Sequence, residues 1–232
     1  MVQQNFYTTH VIGVTSIAQD VLEIQLARPD GFTFVAGQFV QFKIKNGDEE
    51  VLRSYSLSSR PSAQQLEICL KLIPGGKASI FFGAIKVGDR VEMSEAQGRF
   101  IIEPTACIQK VFIATGAGLA PIISMIEADI EASKNTRCNL VFGVRSEQDI
   151  FWLERLKKLK KNSGGRFDFV VTLSQGSPTW QGRRGRVTDL VPDFVRAETE
   201  YYLCGNVDMV KDIRQSLLYH TVNTKNIHFE IF

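Results

Sequence analysis

Closely spaced cysteines are missing from this sequence. Its four cysteines, Cys69, Cys107, Cys138 and Cys204, stand far apart. A structural zinc site or an iron–sulfur cluster usually gathers its thiolates at short spacings such as C-x₂-C. The pattern argues against both, so no metal is expected, and the thiols read as free, buried core groups. Long apolar runs are missing too. The longest, Val111 to Ile126, is broken by Gly116, Gly118 and Pro121, and it falls short of the ~20 residues that span a bilayer. The segment Met1 to His10 has neither the basic start nor the apolar stretch of a signal peptide. Together these absences predict a cytoplasmic protein that does not enter a membrane. An excess of one charge sign is also lacking, with 27 basic against 25 acidic residues and a net charge of +2. No basic stripe is there to track a phosphate backbone, which argues against nucleic acid as a partner.

What remains is a chain of 232 residues, 44% of them hydrophobic, enough for one large core or two modest ones. The first half carries short β-type runs at Val11–Val14, Val21–Leu26, Gln38–Ile44, Val51–Leu57, Leu66–Leu72 and Arg90–Ser94. Turn residues such as Arg28-Pro29-Asp30-Gly31, Lys45-Asn46-Gly47-Asp48 and Val87-Gly88-Asp89 separate them. One helical stretch, about Lys77 to Ile85, interrupts the series. The spacing predicts a small antiparallel barrel. Near Pro104 the rhythm changes to strands alternating with helices, which predicts a parallel sheet. Strands are expected at Lys110–Thr115, Cys138–Val144, Phe167–Leu173, Tyr201–Cys204 and Ile227–Phe232. Helices are expected at Leu119–Ser133, Ile150–Lys161 and Met209–Tyr219. The fold class is therefore β plus α/β: a six-stranded antiparallel Greek-key barrel over residues 1–104, then a parallel-sheet α/β nucleotide-binding domain over 105–232.

Two local patterns carry chemistry. The strand Val111–Thr115 runs into Gly116-Ala117-Gly118-Leu119-Ala120-Pro121 and a helix. Glycines there permit a tight turn and close approach of a pyrophosphate, and the helix start offers free N–H groups to an anion. Pro121 suits a first helical turn. The pattern departs from G-x-G-x-x-G at its last glycine, and a glycine pair at such a turn also occurs for purely structural reasons. In the barrel, Arg53-Ser54-Tyr55-Ser56 lies on a strand, so Arg53 and Tyr55 share one face and Ser54 and Ser56 the other. Taken alone, that segment also reads as an ordinary strand with a surface arginine.

These two segments, together with Gly76-Lys77-Ala78-Ser79 and Cys204-Gly205-Asn206, occur in the order that resembles the ferredoxin–NAD(P)⁺ reductase superfamily of flavoproteins. The resemblance covers essentially the whole chain. Its end, His228-Phe229-Glu230-Ile231-Phe232, resembles the reductase domain of flavohaemoglobins, and the oxygenase reductases are related. The resemblance implies an NAD(P)H-dependent oxidoreductase and electron-transfer flavoprotein. Arg53 then pairs with the flavin diphosphate, a role that suits a guanidinium fork. Tyr55 stacks on the isoalloxazine and Ser56 hydrogen-bonds near N5, with Ser54 beside them. Gly76, Lys77, Ala78 and Ser79 hold the diphosphate, and Lys71 joins the cofactor-binding set. Thr115, Gly116, Gly118 and Pro121 receive the pyridine nucleotide. Cys204 and Gly205 lie beside the nicotinamide. Phe232 covers the second flavin face until nicotinamide displaces it, and Glu230 relays protons or docks the acceptor. The catalytic set implied is Ser56, Cys204, Glu230 and Phe232. Without the resemblance, Cys204 reads as a core thiol, and Phe229, Ile231 and Phe232 as core contacts of the last strand.

The nicotinamide donor stays open between NADH and NADPH. Arg145, at the tip of the second α/β strand, suits a 2′-phosphate, whereas Gln175 departs from the NADPH pattern and Arg186 is a possible replacement. FAD is expected rather than FMN, because a fused cluster domain of the FMN-type reductases is not seen. The run Arg155, Lys157, Lys158, Lys160 and Lys161 suits either an acidic redox partner or a plain solvated helix face. The expected acceptor is a redox protein such as a ferredoxin or flavodoxin, and the expected state a monomer or weak homodimer. The alternatives are a reductase of free flavin, the reductase component of an oxygenase, and a flavin-binding regulatory module without turnover.

Overall fold

The computed structural model describes residues 5–46, 49–103 and 107–232. The expected division at Pro104 and the turn at Gly47-Asp48 lie outside the described residues. The first six strands are β1 (Phe6–Ala18), β2 (Val21–Ala27), β3 (Phe39–Asn46), β4 (Glu49–Ser56), β5 (Gln65–Lys71) and β6 (Arg90–Ser94), with helix α1 (Lys77–Ala84) between β5 and β6. They form one sheet in the order β4-β3-β6-β1-β2-β5, every pairing antiparallel. An isolated bridge between Leu57 and Ile68 brings the two ends of the sheet together. The interior is filled by Ile24, Leu26, Val40, Phe42, Ile44, Leu66, Ile68 and Met93, and Phe82 of α1 plugs one side.

Strand β1 runs well beyond the expected Val11–Val14. Two register shifts, at Val11/Gly13 and Ser16/Ala18, interrupt its alternation, and its exposed positions are Thr8, His10, Ile12, Thr15 and Ser16. Bulges of this kind let one strand bend from one partner to another. Phe6–His10 pairs with β6, and Val11–Ala18 pairs with β2.

The second sheet is wholly parallel. Its strands are β7 (Gln109–Thr115), β8 (Arg137–Val144), β9 (Phe167–Leu173), β10 (Arg183–Arg184), β11 (Thr199–Gly205) and β12 (Ile227–Ile231), in the order β10-β9-β8-β7-β11-β12. Helices α2 (Leu119–Ala132) and α3 (Leu153–Asn162) pack on one face, and α4 (Val187–Phe194) and α5 (Val207–Tyr219) on the other. Being covered on both faces makes β7 apolar without alternation: Phe112 and Ala114 face one core, Val111 and Ile113 the other.

Four readings need correction. Helix α4 was not expected, because Pro192 sits inside it and a short proline-bearing segment reads as loop. Helix α3 begins at Leu153 rather than Ile150, since Trp152 adopts a left-handed φ of 55° at its cap. Cys107 is only partly buried, unlike Cys69, Cys138 and Cys204. Phe229, Ile231 and Phe232 are 43%, 40% and 58% exposed, so they are not core contacts: β12 is the sheet's edge, and only Ile227 of that strand is buried.

Candidate active site at the domain interface

In a parallel sheet, ligands bind outside the carboxyl ends of the strands, and here those ends meet the barrel. Strand β7 passes into a 3₁₀ turn, Gly116–Gly118, that opens directly into α2. Gly116 needs its freedom, since it sits at φ +53°. Gly118 is required for space: a Cβ there would lie 2.2 Å from the Cys204 carbonyl oxygen. The turn thus rests on the end of β11, with no side-chain cap and no acidic residue in its first turn. Its neighbours Thr115, Gly116 and Ala117 are half-buried, whereas Pro121 is buried in α2.

The Cys204 side chain is fully buried in the core shared by β7, β8 and α2. Burial pushes its thiol well above the ordinary range, and the Glu230 carboxylate adds to that, so the sulfur stays protonated. Cys204 pairs in register with Glu230 of β12. Gly205 accepts the Phe232 amide at 3.3 Å. The Glu230 carboxyl reaches across to the barrel, 3.5 Å from the Ser56 hydroxyl. Burial raises it to about 7, with the Ser56 contact pulling the other way.

On the barrel side, β4 carries Arg53, Ser54, Tyr55 and Ser56. Arg53 and Ser54 are exposed, and Tyr55 and Ser56 half-buried. The Arg53 guanidinium donates to the Leu52 carbonyl at 2.8 Å and keeps further donors for a ligand. Tyr55 packs edge-on against Phe82 at 5.2 Å and tilted against Phe42 at 6.1 Å. This aromatic group ties β4 to α1. Helix α1 starts at Gly76, which caps it without a side-chain acceptor. The Ser79 hydroxyl folds back to accept the Ile73 amide at 2.7 Å. A Cβ on Gly76 would press on that hydroxyl at 3.1 Å. Lys71 is exposed at the end of β5, and Lys77 and Ala78 are half-buried in the first turn of α1. An uncapped helix start that carries Lys77, together with exposed Arg53 on β4 and exposed Lys71 at the end of β5, is a donor set whose chemistry fits a diphosphate. The residues present therefore suit a flavin dinucleotide.

Further along the sheet edge, Arg145 is exposed beyond β8, and its carbonyl accepts the Gln175 amide at 2.8 Å. Glu147 takes the Ser177 amide at 2.9 Å and its hydroxyl at 2.5 Å, and these bonds hold the carboxyl below its usual range. Arg184 donates to the carbonyls of Gly176, Ser177 and Trp180, so it shapes its own loop. Arg186 caps α4, its amide held by Asp189 at 2.8 Å, with its side chain exposed.

The basic run on α3 divides. Lys157, Lys158, Lys160 and Lys161 are exposed, and two of them pair locally, Lys157 with Glu154 and Lys160 with Asp168. Arg155 is no part of that face. It is half-buried at the domain interface, on Glu127 and Glu67. A helical period places Arg155 on the inward side, which a plain run of cations conceals. Ser124, whose hydroxyl donates to the Ser59 carbonyl at 2.6 Å, and Trp152 were also missed, since neither stands in a motif.

Comparison with known proteins agrees with this fold. An oxidoreductase FAD-binding domain model matches residues 9–102 and an oxidoreductase NAD-binding domain model matches residues 112–215. The chain is 29% identical to ferredoxin–NADP reductase B of Sorangium cellulosum over 99% of both chains. It is 33% identical to the Ralstonia reductase component of the naphthalene 1,2-dioxygenase/salicylate 5-hydroxylase systems, over 91% of this chain and 63% of that one. A Neisseria gonorrhoeae ferredoxin NADP⁺ reductase solved with FAD and NADP superposes with a TM-score of 0.89 at 25% identity, covering 99% of each chain. The fold and the two matched models define a flavin oxidoreductase. The chain belongs to the ferredoxin reductase-like family, as an NAD(P)H-dependent flavoenzyme with FAD as cofactor. It spans about half to three-fifths of the length of several other curated relatives. No helix among the described residues is long and apolar enough to cross a membrane.

Proposed function

We propose that this protein takes a hydride from NAD(P)H and delivers electrons to a small redox protein, of the ferredoxin or flavodoxin kind, in the cytoplasm. The flavin, when bound, supplies the chemistry that converts a two-electron donor into single-electron steps. The chain's own residues bind and orient. Arg53, Ser54, Lys71, Gly76, Lys77, Ala78 and Ser79 hold the diphosphate side, and Tyr55 supports the ring. Thr115, Gly116, Gly118, Pro121 and Gly205 receive the nicotinamide, with Cys204 as a neutral floor. Phe232, exposed at the chain end, is the movable cover. Glu230 and Ser56 hold a proton between them at the domain junction, and a carboxyl that titrates near neutrality suits that task. The observation that carries this reading is the meeting of Ser56 and Glu230 across the two domains, 3.5 Å apart. In keeping with the two matched models, the functional division falls between residues 104 and 105. The protein acts as a monomer or weak homodimer.

NADPH is the favoured donor. Arg145 and Arg186 are both exposed cations, and the Glu147 carboxylate is engaged by Ser177 rather than offered to a free ribose. A second reading, the reductase component of an oxygenase, draws on the similarity to such components in Pseudomonas and Rhodococcus. Anaerobic addition of NADPH and then NADH to the purified yellow protein tests the first step. Bleaching of the flavin band with NADPH at lower concentration than with NADH is expected. Retained flavin that neither nucleotide bleaches would leave only a non-catalytic module. Turnover that appears only with added free flavin would point to a free-flavin reductase.

A further inference from the structure

Directly after the strand that carries Arg53 to Ser56, the chain stops belonging to the barrel alone. The Ser58 carbonyl accepts Arg155 Nη2 from α3 at 3.0 Å, and the Ser59 carbonyl accepts the Ser124 hydroxyl from α2 at 2.6 Å. Within the barrel, Ser58 donates its amide to the Glu67 carbonyl, and Ser59 accepts the Glu67 amide at its hydroxyl. Arg155 then closes the arrangement in two further directions. It grips Glu127 of α2 side-on, at 2.7 and 2.9 Å, and Glu67 of β5 at 3.0 Å. Its guanidinium lies 5.0 Å from the Trp152 ring, and Trp152 donates to Glu23 of β2 at 2.6 Å. One cation on α3 therefore joins α2, the helix that follows the glycine turn, to two segments of the barrel.

We propose that Arg155 is a positioning residue, a bracket that fixes the flavin-bearing strand β4 against the nucleotide turn at the start of α2. The proposal rests on the site assignment given above. Three features support it. The side chains involved are enclosed, Arg155, Glu67 and Glu127 being 22%, 17% and 16% exposed, so their bonds are less screened than surface pairs. The planar fork is used along its whole edge, which a lysine cannot copy. Trp152 is held at a left-handed φ of 55°, a local strain that persists only where the surroundings over-determine it. Reaction requires the two reacting centres within ~3–3.5 Å, and a misplacement of about 1 Å can cost ~100-fold. Two consecutive carbonyls just past Ser56, both held by the nucleotide domain, are well placed to set that distance.

The test compares wild type with Arg155→Met and Arg155→Lys as purified, flavin-loaded protein. Steady-state kinetics is read beside amide hydrogen exchange measured without nucleotide. For Arg155→Met the expected results are a kcat lower by about tenfold or more with KM for the nicotinamide within about twofold. Flavin should stay stoichiometric, and exchange should quicken in residues 57–67 and α2 but not in β8 or β9. Arg155→Lys should recover part of the exchange protection and little of kcat. A kcat within twofold of wild type, or exchange quickened evenly over the whole nucleotide domain, would overturn the proposal and leave a merely stabilising ion pair. Should Arg155→Met not fold, Glu67→Leu removes one arm of the bracket, and the same kinetic split and local exchange are expected of it. The exchange result is independent of turnover, so a wild-type protein that fails to oxidise NAD(P)H would sink the functional reading without deciding the bracket.

Discussion

Arg53 contributes little to folding: it is exposed, and its bond to the Leu52 carbonyl joins adjacent residues. Its substitution should therefore separate binding from stability. Arg53→Ala is expected to unfold within about 0.5 kcal/mol of wild type yet lose flavin on gel filtration, because a charge-assisted fork to a diphosphate has no replacement. Stoichiometric flavin in the purified variant would remove Arg53 from the site. Cys204 behaves differently. Its thiol is enclosed and protonated, so it is expected to resist alkylation in the folded protein, as buried thiols do. At this scale the sequence was most informative where a residue sits in an ordered motif. Arg155 had no such marker: it stands among four lysines, and only the three-dimensional placement of Glu67 and Glu127 distinguishes it.

Among the elements, the turn before α2 and its contact with the end of β11 are the most demanding. Gly118→Ala would drive a methyl group into the Cys204 carbonyl, and overpacking of this kind costs about 1–3 kcal/mol. A lower urea midpoint and weakened nucleotide binding are expected together; a variant with both unchanged would show that the turn yields freely. At the other end of the sheet Lys110 is buried and bonded to Asp129 at 2.9 Å and to Thr136 at 3.1 Å. Lys110→Met leaves the Asp129 carboxylate without its cation and should destabilise by about 3–5 kcal/mol, measurable by urea unfolding. Strands β7, β8 and β9 were legible as short continuous apolar runs, and helices α2 and α5 by their apolar period. Helix α4 was not, since one proline outweighs a short apolar pattern, and of β1 only the middle, Val11–Val14, was, because its bulges and threonines break the alternation that identifies a strand.

At the scale of the molecule, the two domains share a titrating contact. Glu230 belongs to the nucleotide domain and Ser56 to the barrel, and burial brings the carboxyl to about 7, against ~4.3 for an unfolded glutamate. The folded state therefore holds its proton to higher pH than the unfolded state. Stability should fall as pH rises from about 4.3 to about 7 and then level off, by up to about 4 kcal/mol. Glu230→Gln removes this dependence. Melting temperatures at pH 5 and pH 8 should differ less for the variant than for wild type, and equal differences would refute the assignment. The kcat profile of wild type should show an inflection near pH 7 that the variant lacks.

Strand β4 ends the barrel sheet, and it is just beyond β4, at the bridge between Leu57 and Ile68 and the bonds of Ser58 and Ser59 to Glu67, that this end joins β5. Above the bridge, the stretch bearing Arg53, Tyr55 and Ser56 is an edge. Free strand edges are templates for pairing with other chains, so the same opening that admits a ligand is a hazard to the protein's solubility. Loading with flavin would then act as a guard against self-association, and storage of the protein with its flavin removed should favour turbidity well before the fold itself is lost.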